Sequence, residues 1–175
     1  MASHGYNLFM LIFLVLIVPP LSESKLRSQQ LITSGSSGSS SNSGVNHTDF
    51  EWAIKDMRSK SYHGFAILLQ MLNRTNGGLT FFLPGDSDLS EFPIAPNHLE
   101  TFLMSHAIPM PLLFNDLVHF PNGTLVPSAY PNRMIRIHNH GRSGFFVNNA
   151  RIVAPNVCMN SLIKCHGIDA IIDYA

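Results

Sequence analysis

Residues 79–92 read LTFFLPGDSDLSEF, and the division of this stretch decides the fold. Leu79 to Leu83 is a short apolar run rich in strand formers, which predicts a strand. Pro84-Gly85-Asp86 breaks it, and Asp86 or Ser87 is placed to cap a short helix reaching Glu91. On the N-terminal side the pattern is helical. Thr48-Asp49-Phe50-Glu51 has the spacing of a capping box with Thr48 as N-cap. It predicts a helix over residues 49–59 that buries Phe50, Ala53, Ile54 and Met57. A second helix is predicted over residues 62–72, with Phe65, Leu68, Leu69 and Leu72 inward, and Asn76-Gly77-Gly78 turns the chain into the strand. On the C-terminal side, Asn97 is the expected cap of a helix over residues 99–106 that buries Leu99, Phe102 and Leu103. Pro109 and Pro111 cannot continue it, because each removes a donor and restrains its predecessor. Residues 134–138 alternate, Gly141-Arg142-Ser143-Gly144 signals a hairpin loop, and residues 145–147 form the returning strand. Asn148-Asn149 predicts a tight turn into a strand over residues 150–153, and residues 168–174 read as a last buried strand. Helices first and hairpin-linked strands last indicate an α+β fold.

The chain has 175 residues, which suits one ordinary domain. Its 11 Lys plus Arg balance 11 Asp plus Glu, so the surplus of cations that broad nucleic-acid binding requires is missing. The charges are nevertheless segregated. Asp86, Asp88, Glu91, Glu100 and Asp116 fall in one half of the domain, and Arg133, Arg136, Arg142 and Arg151 in the other. Two cysteines are too few for a disulfide-built scaffold or a four-cysteine zinc site. Residues 8–18, LFMLIFLVLIV, are apolar without interruption and stop at Pro19-Pro20. A membrane span needs about 20 such residues, so the run reads as the core of a secretory signal peptide, residues 1–24, and not as a membrane span; a buried strand or helix is the alternative. Residues 25–47 contain SGSSGSSSNSG and read as a Ser/Gly-rich flexible linker, with the folded domain at 48–175. Asn46, Asn73 and Asn122 each open an Asn-X-Thr sequon beside turn-forming residues, as N-glycosylation in a secreted chain requires.

Several segments, taken in order, resemble the fasciclin domain family. The family's first motif runs threonine, any residue, phenylalanine, any residue, proline, any residue, aspartate, and it stands here as Thr80, Phe82, Pro84 and Asp86. The family's next helix ends in a tyrosine–histidine pair; LETFLMSHAIP supplies His106, with Ser105 in the tyrosine's place. The second motif matches FFVNNARIVAPNV followed by HGIDAIIDY. The resemblance covers about residues 50–174 and looks nearest to the single-domain, arabinogalactan-type fasciclin-like proteins of plants. It implies one compact domain with a wedge of β-strands flanked by helices, in which Thr80, Phe82, Pro84, Asp86 and His106 are structural. It implies an extracellular role in cell-surface or cell-wall adhesion, with matrix glycans or proteins as partners and no cofactor or catalysis. The chain departs from the family at residues 154–158, APNVC, where animal members can carry an acidic adhesive segment. Integrin-like recognition through that segment is therefore not expected. Long Ala/Pro/Ser/Thr tracts for O-glycans are missing, and the sequence ends at Asp173-Tyr174-Ala175 without the apolar tail of a glycolipid anchor.

Candidate chemistry is sparse. In a secreted chain, Cys158 and Cys165 are expected to form a disulfide; two buried free thiols or a reactive thiol beside His166 are the alternatives. Alternation puts Arg136, His138 and His140 on one face of a strand, opposite Ile135 and Ile137, with Arg142 in the loop beyond. This basic hairpin is a candidate surface for an acidic, pectin-like polysaccharide; its plain reading is a solvated hairpin. His138 and His140 project from one strand face as a candidate metal pair, but a site needs a third ligand, and His119 and His106 are available by type without a spacing signal, so no metal is expected. A small secreted hydrolase using a His-containing cleft is the rival reading from another class. Ser105 and His106 are adjacent, however, so their side chains diverge, and Asp86 with Asp88 fit capping better than paired acid–base work.

Overall fold

The computed structural model describes residues 47–72 and 77–174. The expected signal peptide, the linker up to Asn46, and the sequon asparagines Asn46 and Asn73 lie outside the described residues.

Helices form where the apolar spacing is 3.6. α1 (His47–Ser59) buries Phe50, Ala53, Ile54 and Met57. Thr48 lies inside this helix and is not its N-cap; Glu51 instead faces His47 one turn back, at 3.7 Å. α2 (His63–Gln70) buries Phe65, Ala66 and Leu69, with Leu68 and Leu72 packed at the margin of the same core. β1 (Leu79–Pro84) is buried along its whole length. α3 (Asp86–Glu91) follows it at once. A 3₁₀ turn (Pro96–His98) leads into α4 (Leu99–Ser105), so Asn97 sits inside the turn and caps nothing. After β2 (Ala107–Ile108) and α5 (Phe114–Leu117), the chain is made of strands: β3 (Thr124–Pro127), β4 (Met134–Asn139), β5 (Phe145–Val147), β6 (Ala150–Met159) and β7 (Ile163–Ile168). The β4–β5 loop closes through Gly144 at φ 115°, a conformation only glycine holds without strain.

The strands form one seven-stranded mixed sheet in the order β2-β1-β7-β6-β5-β4-β3. Every pairing is antiparallel except β1 with β7, which run parallel with Phe81 opposite Cys165 and Phe82 opposite His166. Successive strand residues point to opposite faces, so β1 feeds two cores. Phe81 and Leu83 join α1, α2 and α4 in one, together with Ile163 and Cys165 of β7. Phe82 joins Ile135, Ile137, Val147 and Ile168 in the other. A strand buried on both faces reads as a continuous apolar run, and this is the physical reason for TFFL.

Cys158 and Cys165 face each other across β6 and β7 and are joined as a disulfide with Cα atoms 4.7 Å apart. Closing so short a loop contributes about 2.5 kcal/mol in the chain-entropy model. The register of β6 slips between Ala154 and Cys158, and Asn156 sits in the irregularity at φ 55°. Residues 169–174, expected to be a strand, are irregular: β7 ends at Ile168, and the segment beyond it is held by side chains.

Candidate functional site

The first-motif residues turn out to be joints between elements. Thr80 is fully buried, and its hydroxyl donates to the Met110 carbonyl at 2.7 Å while accepting the Leu112 N–H at 2.7 Å. It thereby holds the proline-rich loop against β1. Asp86 does not cap its own helix. Its carboxylate accepts the backbone N–H groups of Gly64 (2.8 Å) and His63 (3.2 Å), two of the open donors at the N-terminus of α2. A carboxylate there also meets the positive end of the helix dipole. Phe82 is fully buried beside the His166 ring, and Pro84 closes β1 opposite Ile168.

Two histidines are buried with both ring nitrogens engaged. His106 ends α4, 2% exposed. Its Nδ1 lies 2.9 Å from the Phe102 carbonyl, and its Nε2 accepts the Ile172 N–H at 3.1 Å. The proton must therefore be on Nδ1 and the ring neutral. Burial, aided by the nearby Arg133 charge and opposed by the Phe102 carbonyl, pushes its pKa down to about 4. His166 has the opposite tautomer: Nδ1 accepts the Asn156 N–H at 3.1 Å, and Nε2 donates to the Leu112 carbonyl at 3.0 Å. Burial lowers its pKa as well. Neither ring has a nitrogen free for proton transfer to a substrate.

Where the family has tyrosine, Ser105 is buried, and its hydroxyl accepts from Arg133 Nη1 at 2.6 Å. The Arg133 guanidinium also lies over the rings of Tyr130 (5.2 Å) and Tyr174 (4.9 Å). The Tyr174 hydroxyl donates to the Ser105 carbonyl, and burial pushes its pKa up to about 12. Asn148 Nδ2 donates to the Asp173 carbonyl at 2.7 Å, Asn149 Nδ2 to the Ile171 carbonyl at 2.9 Å, and Asn149 Oδ1 accepts the Asp173 N–H at 2.8 Å. The Asn148-Asn149 turn and His106 thus fasten the C-terminal segment. Sequence reasoning sees the asparagine pair only as a turn, because its partners on the C-terminal segment are main-chain atoms more than twenty residues away.

The outer face of β3, β4 and β5 carries the expected basic residues. Alternation is as the sequence predicts: Ile135 and Ile137 are fully buried, while Met134 and Arg136 are exposed. Arg136 and His138 line a hollow of about 780 Å³ that is shared with Leu125, Met134, Tyr174 and Asp173. His140 and Arg142 lie outside this hollow. The His138 and His140 rings stack at 5.6 Å, and His140 meets Phe146 edge-on at 5.3 Å. Among the described residues no group of three or more His, Cys, Asp or Glu side chains is gathered as a metal would need. The basic half is less basic in space than in sequence. Arg151 pairs with Asp169 at 3.3 Å, and Arg133 is clamped between its tyrosines. Among the described residues, the guanidinium groups of Arg136 and Arg142 have no protein partner. Asn122 is exposed at the turn before β3, and its side-chain oxygen accepts the Asn139 N–H at 3.0 Å. Among the described residues no helix is long and apolar enough to cross a membrane.

No curated protein matches the chain. Among solved structures it is similar to a FAS1 domain pair from the insect cell adhesion molecule fasciclin I, with 14% identity and a TM-score of 0.45 over 73% of this chain. The chain spans less than half of that structure's length, 45%. The fasciclin domain model matches residues 61–174, from the turn before α2 to the fastened C-terminal segment, and the chain belongs to the fasciclin domain family.

Proposed function

We propose that the chain is a secreted, non-catalytic adhesion or interaction module that binds glycans or proteins of the extracellular matrix or cell wall. Membership of the fasciclin domain family supports it, since fasciclin domains occur in extracellular or cell-surface proteins. The observation that carries the reading is the full commitment of the buried polar groups to structure. Thr80, His106, His166 and Ser105 spend their hydrogen bonds on holding loops and the C-terminal segment. What they leave to a partner is the exposed face of β3–β5 with Arg136. The family motifs thus build a rigid frame, and the frame presents a surface. The arabinogalactan-type plant kinship, the signal peptide at 1–24 and glycosylation at Asn46, Asn73 and Asn122 belong to the same reading. The test is retention of the full secreted protein on extracellular matrix and on cell-wall material. Retention that persists in His106→Gln, checked to be folded, supports it. No retention, or turnover of a wall polymer that disappears in His106→Gln, overturns it.

A further inference from the structure

The hollow on the outer sheet face holds a combination that neither solvation nor folding uses. Arg136 stands opposite Leu125 in the β3–β4 register, so a cation and an apolar side chain lie side by side. Leu125 is 49% and Met134 45% exposed, both in the wall of the hollow. Asp173, also in the lining, is exposed, and among the described residues its carboxylate has no partner; its main chain is bonded to Asn148 and Asn149. Those two asparagines fix the wall that carries it, so Asp173 is presented on a fastened segment and not on a loose end. His138 adds a ring nitrogen on the Arg136 side.

This pattern separates ligand classes. A compact multivalent anion, such as phosphate or sulfate, gains from Arg136 and less from Arg133, which also lines the hollow but is held by Ser105 and two tyrosines; it is repelled by Asp173, and it leaves Leu125 and Met134 uncovered. A purely apolar ligand leaves the Arg136 and Asp173 charges to be desolvated without compensation. A uronic acid residue matches all three features. Its carboxylate suits the guanidinium fork, its hydroxyls are donors for a carboxylate, and its C–H ring face suits an apolar wall. The volume lies within the range of about 300–1,000 Å³ usual for ligand sites.

We propose that this hollow is a subsite for a uronic acid residue of an acidic glycan, in which Arg136 takes the carboxylate, Asp173 accepts from ring hydroxyls, and Leu125 with Met134 covers the ring face. The proposal rests on the adhesion reading and gives it a ligand chemistry. It moves the contact away from the loop cation Arg142 and adds an acid that a simple basic patch would not include.

The experiment is calorimetric titration of the full secreted protein with trigalacturonic acid, with galactotriose as the neutral counterpart and sodium sulfate as the compact anion. The expected result is binding of the acidic trimer, with galactotriose and sulfate each weaker by about tenfold or more. Arg136→Ala is expected to cost about tenfold or more, and Asp173→Asn to weaken binding severalfold, while Arg142→Ala stays within about twofold. Among the described residues the Arg136 and Asp173 side chains have no partners, so an unchanged urea midpoint certifies the variants. Three results overturn the proposal: no binding of the trimer, tighter binding in Asp173→Asn as pure charge attraction requires, or an Arg142→Ala loss equal to that of Arg136→Ala. If the trimer fails while retention on matrix persists in Arg136→Ala, the subsite falls and the adhesion reading stands; no retention of the folded wild type removes the adhesion reading itself.

Discussion

Acid should loosen this domain through His106, and the size of the effect follows from the burial of one ring. The unfolded chain titrates the imidazole near its ordinary value of about 6.5. The folded chain holds it at about 4, because burial disfavours the charged ring and the Ile172 N–H already points at Nε2. The folded pKa lies below the unfolded one, so the unfolded state takes up the proton first. The contribution is fully present above pH 6.5, declines as pH falls, and is exhausted below about pH 4. A difference of about 2.5 pH units corresponds to about 3 kcal/mol, with about 2 kcal/mol already lost at pH 5. His166 acts in the same direction. That is a large share of the about 5–15 kcal/mol typical of a domain. Urea unfolding between pH 7.5 and pH 4.5 measures it. The wild type should lose stability on acidification. His106→Gln should start less stable, having lost ring packing, and show a shallower pH slope by about 2 kcal/mol over that interval. A wild-type slope equal to the variant's would refute the assignment of a buried neutral ring to His106.

Other consequences follow from single contacts. Asp86→Ala removes the acceptor for the Gly64 and His63 N–H groups and should cost about 1–2 kcal/mol, read as a lowered urea midpoint; Asp86→Asn, which keeps an acceptor but not the charge, should cost less. Gly167→Ala should destabilise by about 1–3 kcal/mol, because a Cβ there would lie 1.8 Å from the Tyr62 hydroxyl and 2.9 Å from the Ala154 Cβ. A double-mutant cycle with Tyr62→Leu should show that much of this cost is coupled to the Tyr62 ring. Arg133→Ala should cost about 1–3 kcal/mol in thermal or urea unfolding, since it leaves the buried Ser105 hydroxyl and the Tyr130 and Tyr174 faces without their cation.

The sequence made the local patterns legible and hid the distant ones. β1 stands out because both of its faces are buried, and β4 because only one is, so the first reads as a run and the second as an alternation. α1 and α2 show in the spacing of Phe50, Ala53, Ile54 and Met57, and of Phe65 and Leu69. β6 is half hidden: Ala154-Pro155-Asn156 has the composition of a break, yet the strand passes through it as an irregularity with Asn156 in the left-handed region. β7 is hidden by Lys164, His166 and Gly167. His166 is tolerated because two main-chain groups satisfy its ring, and Gly167 because Tyr62 needs the space. Residues 169–174 look like a strand because they are apolar, but their backbone bonds go to asparagine side chains and a histidine. The basic strip is visible as a cluster along the chain. That Asp169 pairs with Arg151, 18 residues earlier, and that Asp173 shares a hollow with Arg136, depends on a C-terminal segment folded back on the sheet.

The most direct test of a frame that presents a binding face is retention of the full protein on extracellular matrix and cell-wall material, compared among wild type, His106→Gln and Arg136→Ala at pH 7.5. The account predicts that the wild type and folded His106→Gln are retained alike, and that Arg136→Ala is retained less on material rich in acidic glycan. Retention lost in folded His106→Gln and unchanged in Arg136→Ala on that material would contradict it.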